Sequence, residues 1–292
     1  MLSVPLSGGC GVEIRDVDVA NLTDDGVRSV LLKLYEHRCI VLPEVGLSKS
    51  QFVDFARRLG EPVLPKVVPD YPEILVLCNV DGVEDKPVTN ASHWHTDQSF
   101  RANVASMTML HTLHVPAEGG ETQICDLVAA YDALSESTKC ELENLIVLHK
   151  FGAGIAPPRG DHAPAPAKGI EHDDPPVSHP LVRPHPVTGK KALYAIAGTA
   201  SGIEGMSQEE AAELLRGLCE HALQPCFITK RKHRADDLFI WDCAATLHRA
   251  EPIDAAKDLA TLRLIDRISV GGLPSVFADR RYSPILKRRL DI

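Results

Sequence analysis

The chain has 292 residues, of which 44% are hydrophobic and 5% aromatic, and its formal net charge is −9. This length and apolar content suit one large β-rich domain with helical additions, and the acidic balance argues against a nucleic-acid-binding protein. No apolar run approaches the roughly 18–20 residues that span a bilayer, and the N-terminus lacks the pattern of a signal peptide.

The first third of the chain alternates strand and helix patterns. The predicted elements are a strand over 11–19, a helix near 24–37, a strand over 39–45, a helix after Ser48 and a strand over 73–80. Ser48 is placed to cap the second helix, because Gln51 follows three residues later, and Gly60 is placed to end it.

The rest of the chain is predominantly strand-like. The pattern predicts a strand over 105–116, a turn, strand and helix over 119–134, a hairpin around Thr188-Gly189, a helix over 207–223 that begins with a Ser207/Glu210 capping box, and strands within 226–252 and 260–271. Between them, residues 150–180 are rich in Pro, Gly and charge. We predict loops that act as lids or contribute to the active site near 62–92 and 150–180.

The element order predicts a mainly β fold with flanking helices (α+β) in a single domain, 1–292. Many strands with few helices between them favour a β-sandwich or barrel over a doubly wound α/β sheet. The eight cysteines form no CxxC pair. Free thiols in a reducing cytoplasm are therefore expected.

The stretch HWHTDQSF, 93–100, concentrates metal-binding groups. In an extended strand, residues two apart point to the same face, so His95 and Asp97 would project together with Thr96 pointing away. His93 would share their face one step earlier, and we interpret it as a neighbour of the site. Two ligands are too few for a metal site, so a third must come from elsewhere in the chain. An HxD triplet alone is also common by chance.

Among the thirteen histidines, His248 has the most suggestive context, since an apolar strand, LFIW, runs into a polar turn just before it. Two imidazoles and Asp97 would form a 2-His-1-carboxylate triad. That triad suits non-haem Fe(II) acting on O2 with a chelating co-substrate. Asp242, directly after the strand, is interpreted as a turn residue.

Two arginines in TLRLIDRISV form a second constellation. Arg263 and Arg267 are four apart, which places both on one face of a strand among apolar residues expected to be buried. A buried arginine is costly unless it meets an anion. Carboxylate-sized ligands and internal salt bridges are both compatible with this pattern.

Together these motifs resemble the Fe(II)/2-oxoglutarate-dependent dioxygenases of the taurine dioxygenase and 2,4-dichlorophenoxyacetate dioxygenase type. The resemblance is carried, in chain order, by HWHTDQSF, VPAEGGETQICDLVAAYDAL, PPVSHPLVRPHPVTGKKALY, DDLFIWDCAATLHRA and LRLIDRISV. It extends roughly from the first strand to residue 270. It implies a double-stranded β-helix, the cupin-like jelly roll, with helical flanks.

The resemblance also implies roles for individual residues. His95, Asp97 and His248 match the iron ligands, while Thr122 and Arg263 match the groups that bind the distal carboxylate of 2-oxoglutarate. In two further matches, Arg267 corresponds to an arginine that binds the anionic group of the prime substrate, and Lys66 falls near a substrate-binding histidine of taurine dioxygenase. A solvated surface lysine is the alternative for Lys66.

The implied activity is oxidation, most simply hydroxylation, of a small anionic organic substrate such as a sulfonate or carboxylate. Fe(II), 2-oxoglutarate and O2 take part, and succinate and CO2 are released. Relatives are commonly homodimers or homotetramers, so a homo-oligomer is expected, with neither nucleic acid nor membrane as a partner.

The chain departs from the family pattern at two places. WDCA replaces the frequent WDNR before the last histidine, which puts Cys243 and Ala244 in the motif, and EPIDAAKDLA lengthens the turn that follows His248. Both changes could alter substrate specificity. Two alternatives stay open: a zinc hydrolase using the same three ligands, and a non-catalytic metal-binding jelly roll. Neither requires Thr122 or Arg263.

Overall fold

The structure is a computed structural model, and it describes residues 1–65, 68–80, 92–158 and 174–278. The strands in these ranges are β1 Leu2–Pro5, β2 Val12–Arg15, β3 Cys39–Leu42, β4 Glu61–Pro62, β5 Leu75–Cys78, β6 Ala105–His114, β7 Thr122–Asp126, β8 Ile146–His149, β9 Val177–Pro180, β10 Val182–Pro184, β11 Lys191–Leu193, β12 Ala200–Ile203, β13 Ile228–Arg231, β14 Leu238–Asp242, β15 Thr246–Ala250 and β16 Leu264–Gly271. The α-helices are α1 Asp24–His37, α2 Lys49–Leu59, α3 Leu127–Asp132, α4 Glu136–Leu142, α5 Gln208–Ala222 and α6 Ser275–Ala278.

Helix boundaries follow the capping signals in the sequence. Helix α1 occupies the predicted range, and the Thr23 hydroxyl caps it by accepting from the Gly26 N–H. Helix α2 begins with the predicted Ser48/Gln51 capping box and ends at Gly60. The same arrangement, with Ser207 and Glu210, begins α5. Local hydrogen bonding therefore explains where these helices start.

The largest sheet runs in the order β1-β2-β3-β14-β6-β16-β4, with β5 also paired to β16. Only the β2–β3 pair is parallel within the described strands of this sheet. A three-stranded sheet, β13-β7-β15, contributes the second wall, and its Ile124 packs with Phe239 and Trp241 of the large sheet. The strands β12-β8-β9 and the β10–β11 hairpin form two separate sheets.

Both faces of the large sheet are buried, which explains its almost continuously apolar central strands. On β14, Leu238 and Ile240 join the cluster formed with α1 and α2. Their neighbours Phe239 and Trp241 point the other way and pack with Ile124 of β7. The period-2 alternation of a strand thus divides one apolar run between two cores.

Two opposed antiparallel walls with helices outside form the predicted double-stranded β-helix, so the mainly β fold class is confirmed. The hairpin predicted around Thr188-Gly189 is also present as β10 and β11. By contrast, β8 and β12 lie in segments where the sequence pattern indicated no element. Within the described part of the chain, no helix is long and apolar enough to cross a membrane.

The prediction of a loop over 150–180 is partly wrong. Its last residues form β9, which pairs with β8 in antiparallel register. Val177 and His179 can join the sheet because the adjacent Pro176 and Pro180 need no N–H in the ladder. Residues 159–173 lie outside the described residues, as do 66–67 and 81–91 of the predicted loop over 62–92.

Candidate metal and co-substrate site

His95 and His248 face each other across the mouth of the β-helix. They form an isolated antiparallel bridge with two main-chain hydrogen bonds, of 3.0 and 2.9 Å. Strand β15 sets the position of His248, because it pairs with β7 opposite Ile124. Gly198, whose φ is +78°, packs closely against His95. A Cβ added at Gly198 would lie 2.7 Å from the His95 Cβ. Only glycine leaves room for this imidazole.

Asp97 completes a three-residue cluster. Its Oδ1 lies 3.6 Å from His95 Nε2, and its Oδ2 lies 3.6 Å from His248 Nε2. The three ligand atoms are all within 4.8 Å of one another. Among the described residues, this is the only such group that could hold a metal ion. Two imidazoles and one carboxylate are a donor set that fits Fe(II).

His95 and Asp97 converge as predicted, but not because both lie on one extended strand. His95 is held by the bridge to His248, but Asp97 begins a turn over residues 97–100 rather than continuing a strand. The turn directs its carboxylate back towards His95. His93 lies outside the cluster, with its ring centroid 4.8 Å from that of His95.

The protonation states suit metal binding. Burial opposes ionisation of Asp97, but the Arg267 guanidinium and the two imidazoles outweigh it and hold the pKa of the carboxyl well below its usual range. Burial and the nearby His95 lower the pKa of His248 well below its ordinary value. The site thus offers an anionic carboxylate and a neutral imidazole.

Outer hydrogen bonds orient the ligands. The main-chain oxygen of His93 lies 2.9 Å from His95 Nδ1, which leaves Nε2 to face the cluster. Both oxygens of Asp97 have partners: Arg267 Nη2 lies 2.6 Å from Oδ1, and the Thr108 hydroxyl donates to Oδ2 over 2.6 Å. The Ser269 hydroxyl links these two partners, because its Oγ lies 2.9 Å from Thr108 Oγ1 and 3.1 Å from Arg267 Nη2.

Removing the Thr108 hydroxyl is expected to loosen this carboxylate. Thr108→Val should weaken Mn(II) binding by about tenfold, the lower end of the effect of losing an outer hydrogen bond at a metal site. Thr108→Ser retains the donor and should restore most of the affinity. Calorimetric titration with Mn(II) measures both. Equal loss in the two variants would instead point to a packing effect.

A buried hydroxyl network supports the turn that carries Asp97. Ser99 Oγ donates to the Thr96 carbonyl and lies 2.7 Å from Thr199 Oγ1, which in turn lies 3.2 Å from His149 Nδ1. The side chain of His149 is fully buried. Burial and the nearby His179 lower the pKa of His149 from 6.5 to about 3.

This histidine predicts a pH dependence of stability. Between pH 6.5 and about 3 the unfolded chain binds a proton at His149 that the folded chain does not. The contribution of His149 to the free energy of unfolding is therefore fully present above pH 6.5. It is lost as the pH falls, by up to about 1.4 kcal/mol per pH unit. In urea unfolding, the free energy of unfolding of His149→Gln should decline less steeply with falling pH than that of the parent protein. A decline as steep as that of the parent protein would contradict this role of His149.

Thr122 and Arg263 are both close to the glycine turn that precedes β7. Arg263 Nε donates to the Gly120 carbonyl over 3.2 Å. Gly120 has φ +71°, and a Cβ there would lie 2.8 Å from Arg263 Cδ. The glycine thus allows the arginine to lie flat against the turn. Thr122 is buried, and its hydroxyl lies 2.8 Å from His233 Nε2.

Arg263 is a buried cation without a carboxylate partner in the described ranges. Its side chain forms no ion pair there, although the residue is only 4% exposed. Burial lowers its pKa to about 10. An uncompensated buried guanidinium is costly, so a site for an anion is the simplest reason to keep it. The distal carboxylate of 2-oxoglutarate fits this requirement.

Arg267 differs from Arg263, because it has an internal partner in Asp97. It borders a small cavity of about 50 Å³ with Gln98 and Ser269, lined further by Val63, Pro65, Glu73 and Leu75. Of the two outcomes left open for the arginines, the internal salt bridge is present at Arg267, and a carboxylate ligand for Arg263 stays a prediction. Leu262 and Leu264, expected to be buried, are only partly so. Lys66 lies outside the described residues.

Sequence reasoning missed Thr108, Ser269 and His233. Thr108 had one usable signal, since it is a polar residue between Met107 and Met109 in a predicted strand. The departure at Cys243 lies beside it, with Sγ 3.6 Å from Thr108 Oγ1. Asp242, interpreted as a turn residue, accepts from the Ala244 N–H and lies outside the ligand cluster.

Comparison with known proteins agrees with this geometry. Residues 3–265 match the family described as "Taurine catabolism dioxygenase TauD, TfdA family". The chain belongs to this family. It is therefore a 2-oxoglutarate-dependent non-haem iron dioxygenase, an enzyme that uses Fe(II), 2-oxoglutarate and O2, as the resemblance implied.

Individual dioxygenases resemble the chain over most of its length. The alpha-ketoglutarate-dependent 2,4-dichlorophenoxyacetate dioxygenase of Cupriavidus pinatubonensis is 33% identical over 277 residues, covering 87% of this chain and 93% of the relative. A taurine dioxygenase from Burkholderia xenovorans superposes with a TM-score of 0.76 at 28% identity, covering 93% and 90%. The structure of AAD-2 in complex with Mn(II) and N-oxalylglycine superposes with a TM-score of 0.73 at 29% identity. The match covers 93% of this chain and 97% of AAD-2.

Proposed function

We propose that this dioxygenase binds Fe(II) through His95, Asp97 and His248, and 2-oxoglutarate through Thr122 and Arg263. The observation that carries the proposal is the pairing of a buried His/Asp/His cluster with a buried arginine that has no acidic partner among the described residues. A zinc hydrolase or a metal-binding module would need the first feature but not the second.

In this proposal the protein positions and shields the reactants. Bound Fe(II) supplies the activation of O2 and the oxidative decarboxylation of 2-oxoglutarate. His95, Asp97 and His248 would hold the metal and would leave coordination positions for other ligands. Arg263 and Thr122 fix the far end of the co-substrate, while Trp241, whose ring centroid lies 4.6 Å from that of His248, covers the inner side against water.

We further propose that Arg267 binds the anionic group of the prime substrate. Its Nη2 contacts Asp97, which leaves its other guanidinium N–H groups for a carboxylate or sulfonate. Fe(II), 2-oxoglutarate, Asp97 and the two arginines together carry one net positive charge. One monoanionic substrate would neutralise it, which favours a singly charged sulfonate or carboxylate.

The chemistry named for the relatives supports this substrate class. One relative is a 2,4-dichlorophenoxyacetate dioxygenase and a structural neighbour is a taurine dioxygenase, and both named compounds are small organic acids. The homo-oligomer, the cytoplasmic location and the substrate contact of Lys66 stay predictions.

A substrate panel tests the proposal. Sulfonates, carboxylates and aryloxyacetates are supplied with Fe(II), 2-oxoglutarate and O2, and substrate-dependent succinate formation is measured. Arg267→Ala should raise the KM of the best anionic substrate by roughly 100-fold, since it removes hydrogen bonds to a charged group. Its KM for 2-oxoglutarate should change little. An unchanged KM for the anionic substrate would refute the assignment of Arg267.

A further inference from the structure

His233 lies against the proposed co-substrate site without belonging to the family motifs. It follows β13, whose last residue, Arg231, pairs with Thr122 in the sheet register. The chain then folds back, so that His233 Nε2 lies 2.8 Å from Thr122 Oγ1. The imidazole is only 5% exposed and packs edge-on against Phe239, with ring centroids 5.8 Å apart.

The hydroxyl of Thr122 has a single proton, and its direction matters. A carboxylate only accepts hydrogen bonds, so Thr122 can bind 2-oxoglutarate only by donating that proton to it. If His233 Nε2 were unprotonated, it would take the proton instead. The threonine would then present lone pairs to the carboxylate, and the contact would be repulsive.

The contact with Thr122 determines which nitrogen of His233 must carry the proton. Burial, followed by the positive charges of Arg263 and Arg231, lowers the pKa of His233 to about 3, so the imidazole is neutral and has one ring proton. Its Nδ1 is buried with no hydrogen-bond partner among the described residues, whereas Nε2 lies 2.8 Å from Thr122 Oγ1. When the threonine gives its proton to a carboxylate, its oxygen can only accept from Nε2, and this requires the tautomer with the proton on Nε2.

We propose that His233 is a positioning residue for the co-substrate: its Nε2–H donates to Thr122 Oγ and turns the threonine proton towards the distal carboxylate of 2-oxoglutarate. This inference rests on the proposed binding of that carboxylate by Thr122 and Arg263. It assigns His233 no contact with the metal and no direct contact with 2-oxoglutarate.

The test compares two oxo acids on the full-length Mn(II)-loaded protein without O2. Both 2-oxoglutarate and 2-oxobutyrate carry the 2-oxo acid group, but only 2-oxoglutarate has a distal carboxylate. His233→Phe keeps an aromatic ring on Phe239 and removes the donor. It should weaken 2-oxoglutarate binding about tenfold and leave 2-oxobutyrate and Mn(II) affinities unchanged. His233→Gln, whose amide can donate, should restore most of the affinity.

A double-mutant cycle completes the experiment. In a Thr122→Val background, His233→Phe should cause no further loss of affinity. Equal weakening of both oxo acids, or additive effects of the two substitutions, would overturn the positioning role in favour of a structural one. An unchanged affinity in His233→Phe would also overturn it. His233→Leu is a second donor-free variant in case the phenylalanine variant does not fold.

Failure of the underlying function would look different. If the parent protein bound no 2-oxoglutarate, or if Thr122→Val bound it with parental affinity, the assignment of the co-substrate site would fail and the role of His233 with it. If Thr122→Val weakened binding and His233→Phe did not, only the present inference would be wrong.

Discussion

Replacing Asp97 with alanine is expected to weaken Mn(II) binding by more than about 100-fold, beyond the range caused by loss of an outer hydrogen bond, and to abolish succinate formation. Two imidazoles would remain, and no other carboxylate of the described residues joins the cluster. The substitution also removes the partner of Arg267, so an uncompensated positive charge would lie beside the entering cation. Calorimetric titration with Mn(II) measures the effect.

His93→Ala is the matched control for this experiment. It removes an imidazole next to the site but keeps the main-chain oxygen that orients His95. Its Mn(II) affinity should stay close to that of the parent protein. Parental affinity in Asp97→Ala, or a comparable loss in His93→Ala, would contradict the proposed ligand set.

Replacing Arg263 with methionine is expected to separate binding from stability. The affinity for 2-oxoglutarate should fall by roughly 100-fold or more, because hydrogen bonds to a buried charged group are lost. The ligand-free protein should nevertheless unfold at a higher temperature than the parent, since the change removes a buried cation with no acidic partner among the described residues. Thermal unfolding with and without 2-oxoglutarate measures both effects.

Arg263→Lys and a second oxo acid provide the controls. Lysine keeps the charge but not the planar pair of donors, so its affinity for 2-oxoglutarate should lie between those of the parent and the methionine variant. Neither substitution should alter the affinity for 2-oxobutyrate. A methionine variant that is less stable than the parent and still binds 2-oxoglutarate normally would show that Arg263 is structural.

The confirmed predictions share a local physical cause. The limits of α1 and α2 follow from capping residues a few positions away, and the β14 strand follows from its apolar run. The jelly roll was implied by the order of several motifs rather than by periodicity. The part of the 150–180 loop that forms β9 was missed because its pairing partner, β8, lies about 30 residues earlier in the chain.

The candidate site also has some features that the sequence indicated and others that depend on contacts across the fold. A carboxylate two residues from an imidazole was visible as a motif, and so was a histidine after an apolar strand. The turn at Asp97 was not, because it depends on bonds from Thr96 to Thr246 and from Ser99 to Thr199, across the fold. No local pattern indicated that Thr108 would meet Asp97.

The motifs were enough to indicate the class of chemistry, because metal ligation and recognition of a carboxylate depend on residue types that appear in order along the chain. The fold was needed to show that Arg267 pairs with Asp97, whereas Arg263 has no carboxylate partner in the described ranges. It was also needed to show that Thr108 donates to Asp97 and that His233 lies against Thr122. The physical reason is that charge compensation and hydroxyl direction depend on contacts between strands far apart in the chain, and such contacts leave no periodic signal in the residues that make them.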